Sequence, residues 1–346
     1  MEGMLSGLVE QALEKRPLTR QQASWVLSYP DEGVPELVGA VSRVRYRFFE
    51  NRVKLNALVN IKSGLCPEDC NYCSQSKLST APIQKYPYLG QKEILDRAAK
   101  AQEAGAKRLC LVASGRGPTK GELGRFTEMV REVRSTYPEL EICACLGLLK
   151  DGQAEQLREA GVYAYNHNLN TSGRFYGEIC STHTYEDRGR TVEAAKNSGL
   201  SPCSGALFGI GETDDDVVDV AFALKELKPD SVPINFLIPI PGTPLATRTN
   251  LTPQRCLKLL ALFRLVFPDV EVRIAGGREV HLRSLQPLGL LLANSIFAGD
   301  YLTTEGQPSM ADLEMISDLG LIVESAEEST LPRERAGSVT LKDYSG

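Results

Sequence analysis

The chain has no apolar run long enough to cross a membrane. Its longest, Leu288 to Gly299, is broken by Asn294 and Ser295 and falls short of the ~20 residues a span needs. It has no basic excess: 39 Lys and Arg stand against 44 Asp and Glu, a net charge of −5, which argues against nucleic-acid binding through a basic face. A secretory leader pattern is missing too. The opening MEGMLSGLVEQALEKR carries Glu2 and Glu10 where a leader would carry Lys or Arg and then an apolar stretch. No short-period repeat or low-complexity segment occurs. These absences point to a cytoplasmic protein with neither a membrane nor a nucleic acid as partner. In that compartment disulfides are disfavoured, so the nine cysteines point to metal binding or catalysis.

At 346 residues the length suits two domains of about 150 residues or one barrel of about 250 with additions. Residues 1–50 read as helices without strands. Thr19 and Gln22 form a capping-box pattern ahead of an apolar-periodic stretch ending near Ser28, and a second helical pattern runs over 35–49. From Val53 the texture changes to alternation. Strands are expected at 53–61, 107–113, 140–146, 162–168, 201–208, 231–238, 270–275 and 294–297. Helices are expected at 91–104, 121–136, 151–160, 184–198, 213–227, 252–266, 282–292 and 308–319. Strands separated by helices imply a parallel sheet. Eight such units predict an α/β fold, a closed (β/α)8 TIM-type barrel over 51–322, with an N-terminal helical extension over 1–50 and a short polar tail over 323–346. An open doubly wound sheet is the alternative. In the barrel, chemistry belongs at the C-terminal ends of the strands.

The loop after the first expected strand reads Ser63-Gly64-Leu65-Cys66-Pro67-Glu68-Asp69-Cys70-Asn71-Tyr72-Cys73, a C-x3-C-x2-C spacing. Three thiolates on one Gly/Pro-containing loop can converge on a single metal centre. Zinc usually takes four ligands in two separated pairs, and no further Cys or His lies nearby in sequence. Three cysteines suit a [4Fe–4S] cluster with one iron left free; a zinc site completed by a distant residue is the competing reading.

A C-x3-C-x2-C loop after the first strand of a βα barrel resembles the radical S-adenosylmethionine superfamily. The longer string GLCPEDCNYCSQS resembles the biotin synthase family within it. So do YNHNLNTS (165–172), SPCSGALFGIGET (201–213), SVPINF (231–236), VRIAGGRE (272–279) and ANSIFAGDYLTT (293–304), in order over about residues 45–320.

The resemblance implies that Cys66, Cys70 and Cys73 hold the [4Fe–4S] cluster. It implies a second, [2Fe–2S] cluster inside the barrel, held by Cys110, Cys143, Cys203 and Arg273. These four lie in four different expected strands, and one inward residue per strand can meet at the barrel axis. Cys143 and Cys145 share a strand face, so periodicity leaves both open; the family register places the ligand at Cys143 and leaves Cys145 to packing. An arginine ligand would have to be neutral although its pKa exceeds 12, and read from chemistry alone Arg273 binds a carboxylate or phosphate as readily. Cys180 and Cys256 match no ligand position and read as structural.

For S-adenosylmethionine the resemblance implies contacts from Tyr72, from Ser114 in the segment Ala113–Gly117, from Asn168 and Asn170, and from Leu207 in the Gly205–Glu212 stretch. That stretch lacks the G-x-G-x-x-G spacing of a dinucleotide site. Many family members carry Asp at the position of Asn170; Asp accepts both ribose hydroxyl protons, whereas Asn accepts one and donates one. The resemblance implies dethiobiotin contacts at Asn168, Asn235, Thr303 and Thr304. For Asn235 a structural amide, and for the threonines a turn cap, are the plainer readings. His167 alone, with no second His near it, reads as a core or supporting residue.

The implied reaction inserts sulfur between two unactivated carbons of dethiobiotin to form biotin. Such C–H bonds are not acidic, so a radical must start the chemistry, and cofactors supply it. In the family scheme, one-electron cleavage of S-adenosylmethionine gives a 5′-deoxyadenosyl radical that takes hydrogen from the substrate, and the second cluster gives up the sulfur; a second S-adenosylmethionine closes the ring. Implied partners are an electron donor such as flavodoxin or ferredoxin, iron–sulfur assembly proteins and a second copy of the chain, with helices 1–50 available for that contact. The contrasting readings are another radical enzyme on the same barrel, hydrogenase-maturation-like or methylornithine-synthase-like, and a non-enzymatic iron–sulfur carrier.

Overall fold

The computed structural model describes residues 2–248 and 251–324. The strands are β1 (Arg52–Lys62), β2 (Arg108–Ala113), β3 (Glu141–Cys145), β4 (Ala164–Asn166), β5 (Ser201–Cys203), β6 (Ala206–Phe208), β7 (Ser231–Phe236), β8 (Glu271–Ile274), β9 (Ser295–Phe297) and β10 (Ile322–Val323). The helices are α1 (Glu2–Leu13), α2 (Arg20–Leu27), α3 (Val34–Phe49), α4 (Gln91–Glu103), α5 (Lys120–Thr136), α6 (Gln153–Glu159), α7 (Tyr185–Asn197), α8 (Asp214–Leu227), α9 (Pro253–Val266), α10 (Arg278–Leu282), α11 (Gln286–Leu290) and α12 (Ser309–Asp318).

All ladders are parallel, and β1 pairs with both β2 and β9. The sheet therefore closes, as the eight strand–helix units predict. β5 and β6 together fill the fifth position, since both pair with β7. The expected single strand over 201–208 is interrupted at Ser204 and Gly205. There the chains approach so closely that a Cβ on Gly205 would sit 1.8 Å from the Pro233 carbonyl oxygen. The expected helix over 282–292 is also broken. Arg283 adopts φ 52°, outside the helical region, so the chain restarts as α11 after one tight turn. β10 runs beside the start of β1. The polar tail expected beyond it lies outside the described residues from 325 onward.

Period-two alternation sorts the strand residues. Val53, Leu55, Val59, Ile61, Leu109, Leu111, Ile142, Ala144, Val272 and Ile274 face the helices, and the apolar core lies in that layer. The opposite face, turned into the barrel, is largely polar: Asn56 and Asn60 on β1, Arg108 and Cys110 on β2, Glu141 and Cys143 on β3, and Glu271 and Arg273 on β8. Barrel interiors are commonly filled with branched apolar side chains; this one is built of hydrogen-bonding and thiol groups.

The first fifty residues pack on the outside of the barrel against α8 and α9. The Thr19–Gln22 capping box forms as expected. Leu8, Val26, Leu37 and Val41 are buried in the same core as Leu257 and Leu260 of α9, so these helices spend their apolar faces within the chain. Among the described residues no helix is long and apolar enough to cross a membrane.

Candidate active site

The interior is layered along the barrel axis. At the N-terminal end lies a charged floor. Arg108 reaches Glu141 at 2.8 Å and Glu271 at 3.2 Å, Lys54 reaches Glu141 at 2.6 Å, and Arg273 pairs with Glu271. Burial alone would push the Glu271 carboxyl up, but the Arg108 and Arg273 guanidiniums outweigh it and hold it well below the usual carboxylate range. Glu271, which nothing in the sequence singled out, therefore anchors Arg273 in place.

Above the floor three thiols meet. Cys110 and Cys143 are register partners on β2 and β3, and Cys143 lies close to both Cys110 and Cys203, which push its thiol up. Arg273 Nη1 stands 4.0 Å from Cys203 Sγ. Its other nitrogens are committed, Nε to Ser295 Oγ at 3.2 Å and Nη2 to Ser231 Oγ at 3.1 Å. Asn166 Nδ2 donates to Cys203 Sγ at 3.1 Å. The four residues named from the sequence thus converge, and of the two cysteines on β3 it is Cys143, fully buried, that joins them. Cys145 stands one pleat further toward the C-terminal end and lines the cavity above; burial pushes its thiol up to about 12.

That cavity, of about 390 Å³, opens at the C-terminal ends of the strands. Its wall includes Cys66, Cys70, Cys73, Tyr72, Ser114, Asn168, Asn170, Leu207 and Asn235, with Cys110 and Arg273 reaching it from below. The three-cysteine loop has no regular structure and is held by its neighbours. Gln75 accepts from the Gly64 N–H at 2.9 Å. Asp69 accepts from the Ser181 and Thr182 N–H groups at 2.9 and 3.1 Å, and Asn71 donates to the Glu178 carbonyl at 2.8 Å.

The other sequence candidates divide. Asn170, with φ 71°, donates to the Tyr72 hydroxyl at 2.6 Å. Ser114 donates to the Gly64 carbonyl at 2.6 Å, tying the second strand's loop to the cysteine loop. Asn168 accepts from the Gly205 N–H at 3.1 Å. Asn235 spans two backbones, donating to the Ala206 carbonyl and accepting from the Gly276 N–H. Thr303 and Thr304 are not in the cavity wall: Leu302 takes that place, and the Thr303 hydroxyl is 2.8 Å from that of Ser74. Glu212 accepts from the N–H groups of Gly209, Ile210 and Gly211 at 2.8, 2.9 and 3.0 Å. The amides of this glycine stretch are therefore used internally, and it offers no phosphate cradle.

Two features escaped the sequence reading, and His167 is buried as the core or supporting residue expected of it. Arg188, buried on the first turn of α7, donates to the Asn168 carbonyl at 2.9 Å and to the Tyr176 hydroxyl beside the cavity. His167 lines the cavity with its Nε2 unpartnered, and burial holds its imidazole neutral. Cys180 is not simply a packing residue: its sulfur lies 3.8 Å from Cys70 Sγ, 3.3 Å from His183 Nδ1 and 3.3 Å from Asp69 Oδ1. The loop before α7 folds back over the cysteine loop, a contact across more than a hundred residues that local pattern cannot reveal.

Comparison with known proteins decides the family. Residues 60–224 match the Radical SAM superfamily, and residues 233–322 match the Biotin and Thiamin Synthesis associated domain. The biotin synthase of Streptomyces avermitilis is 58% identical over 333 residues, covering 96% of this chain and 86% of that protein. The chain belongs to the biotin synthase family. Among solved structures, methylornithine synthase superposes with a TM-score of 0.81 at 22% identity, covering 93% of this chain and 98% of that one. The FeFe-hydrogenase maturase of Carboxydothermus hydrogenoformans gives 0.78 at 20% identity, covering 93% and 79%. At such identities these two show a shared barrel and nothing of its chemistry. As a member of the biotin synthase family the chain is a radical S-adenosylmethionine enzyme that inserts sulfur, and the two contrasting readings fall away.

Proposed function

We propose that this chain converts dethiobiotin to biotin in the cavity at the C-terminal end of its barrel, with Cys66, Cys70 and Cys73 holding a [4Fe–4S] cluster and Cys110, Cys143, Cys203 and Arg273 holding a [2Fe–2S] cluster beneath it. The observation that carries this reading is the convergence of three buried thiols and one guanidinium at a single level of the barrel, under a cavity whose rim bears three more thiols. Both donor sets fit. Thiolates are the usual ligands of iron–sulfur clusters, and Arg273 has one nitrogen turned to Cys203 while its others are anchored. When bound, the first cluster with S-adenosylmethionine supplies a 5′-deoxyadenosyl radical, and the second cluster supplies the sulfur.

The chain's own residues bind, orient and exclude water. Tyr72, fixed by Asn170, and Leu207 form the wall suited to the adenosine of S-adenosylmethionine. Ser114 holds its loop against the cysteine loop, where the methionine end would lie. Asn168 and Asn235 present amide groups suited to a ribose and to the ureido ring of dethiobiotin, with Thr303 and Thr304, which follow Leu302 of the wall, for its carboxylate. Val112, Ala113, Phe236 and Phe297 supply apolar wall that keeps water from the reacting carbon. The reading places the enzyme in the cytoplasm, as a homodimer served by a flavodoxin- or ferredoxin-type donor and by iron–sulfur assembly proteins. Anaerobic iron and sulfide counting on the reconstituted chain tests it: two cluster types support it, and one cluster type alone overturns the assignment of Cys110, Cys143, Cys203 and Arg273.

A further inference from the structure

We propose that Cys70, Cys180 and His183 form a site for one thiophilic divalent cation of the zinc type in the cluster-free chain. Among the described residues these three are the one group of Cys, His and acidic side chains whose ligand atoms all lie within 4.8 Å of one another. All three are buried. The spacing matches one ion rather than a cluster. A tetrahedral ion with metal–sulfur bonds of about 2.3 Å sets its two sulfurs about 3.8 Å apart, and the Cys70 and Cys180 sulfurs are 3.8 Å apart.

Both ring nitrogens of His183 lie near the Cys180 sulfur, Nδ1 at 3.3 Å and Nε2 at 3.8 Å. Glu68, itself buried, pairs with Nδ1, which leaves Nε2 as the ligating nitrogen; a carboxylate on the other ring nitrogen is a common support for a metal-bound histidine. Asp69 Oδ1 stands 3.3 Å from Cys180 Sγ but accepts from the Ser181 and Thr182 N–H groups and lies outside the three-donor group, so the fourth position is left to a water. Cys180 and His183 follow one another as C-x2-H, a spacing that lets one turn present both. On binding, the two thiols release their protons and the ion takes their place.

On the function proposed above Cys70 is shared with the [4Fe–4S] cluster, so the two occupancies exclude one another. A zinc-type ion here would hold the loop closed and delay cluster loading.

The test uses the full-length chain stripped of metal under anaerobic conditions and titrated with Co²⁺, then with Zn²⁺ in competition. One Co²⁺ per chain is expected, with thiolate charge-transfer absorption. Loss of an outer-shell partner alone commonly weakens a metal site by about 10- to 100-fold, so loss of a direct donor in Cys180→Ser or His183→Ala should weaken binding by at least about tenfold. Cys66→Ala should leave it within about twofold, because Cys66 is outside the donor set. Cys180→Ser should still accept the [4Fe–4S] cluster, which shows that it is folded, and zinc should no longer delay its loading. Equal affinity in wild type and Cys180→Ser overturns the proposal, as does a Cys66→Ala loss matching that of Cys180→Ser, which would place the ion on the three-cysteine loop. Failure of cluster loading in the wild type would count against the proposed function and leave the cobalt result to stand by itself.

Discussion

Cys110 on β2 and Cys143 on β3 are register partners whose buried side chains share one face inside the barrel. The same ladder sets Val112 opposite Cys145, two residues further along. A strand advances about 3.3 Å per residue, so Cys143 and Cys145 differ by roughly 6.5 Å along the axis, far more than an iron–sulfur bond. Cys143→Ala should abolish the second cluster and biotin formation. Cys145→Ser should retain both. An anaerobic sulfide count with the opposite pattern would shift the assignment by two residues.

Arg273 offers one free nitrogen to Cys203 and anchors the rest on Ser231, Glu271 and Ser295. Its removal should alter the cluster's surroundings without removing a thiolate. Arg273→Lys and Arg273→Met are expected to assemble the second cluster with changed optical and Mössbauer spectra and reduced biotin formation, because ammonium and guanidinium are not interchangeable. Cys203→Ala should lose the cluster. A spectrum unchanged in Arg273→Met would take Arg273 out of contact with it.

Glu271 ties stability to pH. Its folded value is depressed, so its contribution is complete above the ordinary carboxylate range of about 4.3 and is lost as pH falls through the folded value. Glu271→Gln leaves Arg108 and Arg273 without that partner and should destabilise the cluster-free chain by about 3–5 kcal/mol at pH 7. Urea midpoints for wild type and variant should converge as pH is lowered below about 4. A gap that stays constant down to strongly acidic pH would mean that the pair does not contribute through charge.

Gly205 marks the break in the fifth barrel position. Gly205→Ala would set a methyl group 1.8 Å from the Pro233 carbonyl oxygen and 2.8 Å from its carbonyl carbon. The change should lower stability by at least about 1–3 kcal/mol, since neither strand can yield freely. A thermal or urea midpoint equal to wild type would contradict the close approach.

The barrel was legible because its strands and helices punctuate themselves. Val53–Ile61 and the segments after it alternate with capped helices such as the one opened by Thr119 and Glu122, and parallel strands leave few other topologies. The ligand candidates were legible through motif strings, and the four in the barrel also through their separate strands. What escaped depended on distant contacts. Glu271 has a meaning only beside Arg108 and Arg273, and Arg188 only beside Tyr176 and Asn168. Cys180 looked like packing because its neighbours Cys70 and Asp69 come from the other side of the sequence. The split of the expected helix over 282–292 turns on the backbone of Arg283, which residue type alone does not announce.

Turnover tests most directly whether the cavity between the two metal sites inserts sulfur. The reconstituted chain, incubated anaerobically with dethiobiotin, S-adenosylmethionine and a low-potential reductant, should form biotin, with two molecules of 5′-deoxyadenosine for each. Sulfide in the second cluster should fall as biotin appears, and Cys70→Ala should form neither product. 5′-Deoxyadenosine without biotin, or biotin with the second cluster's sulfide unchanged, would contradict it.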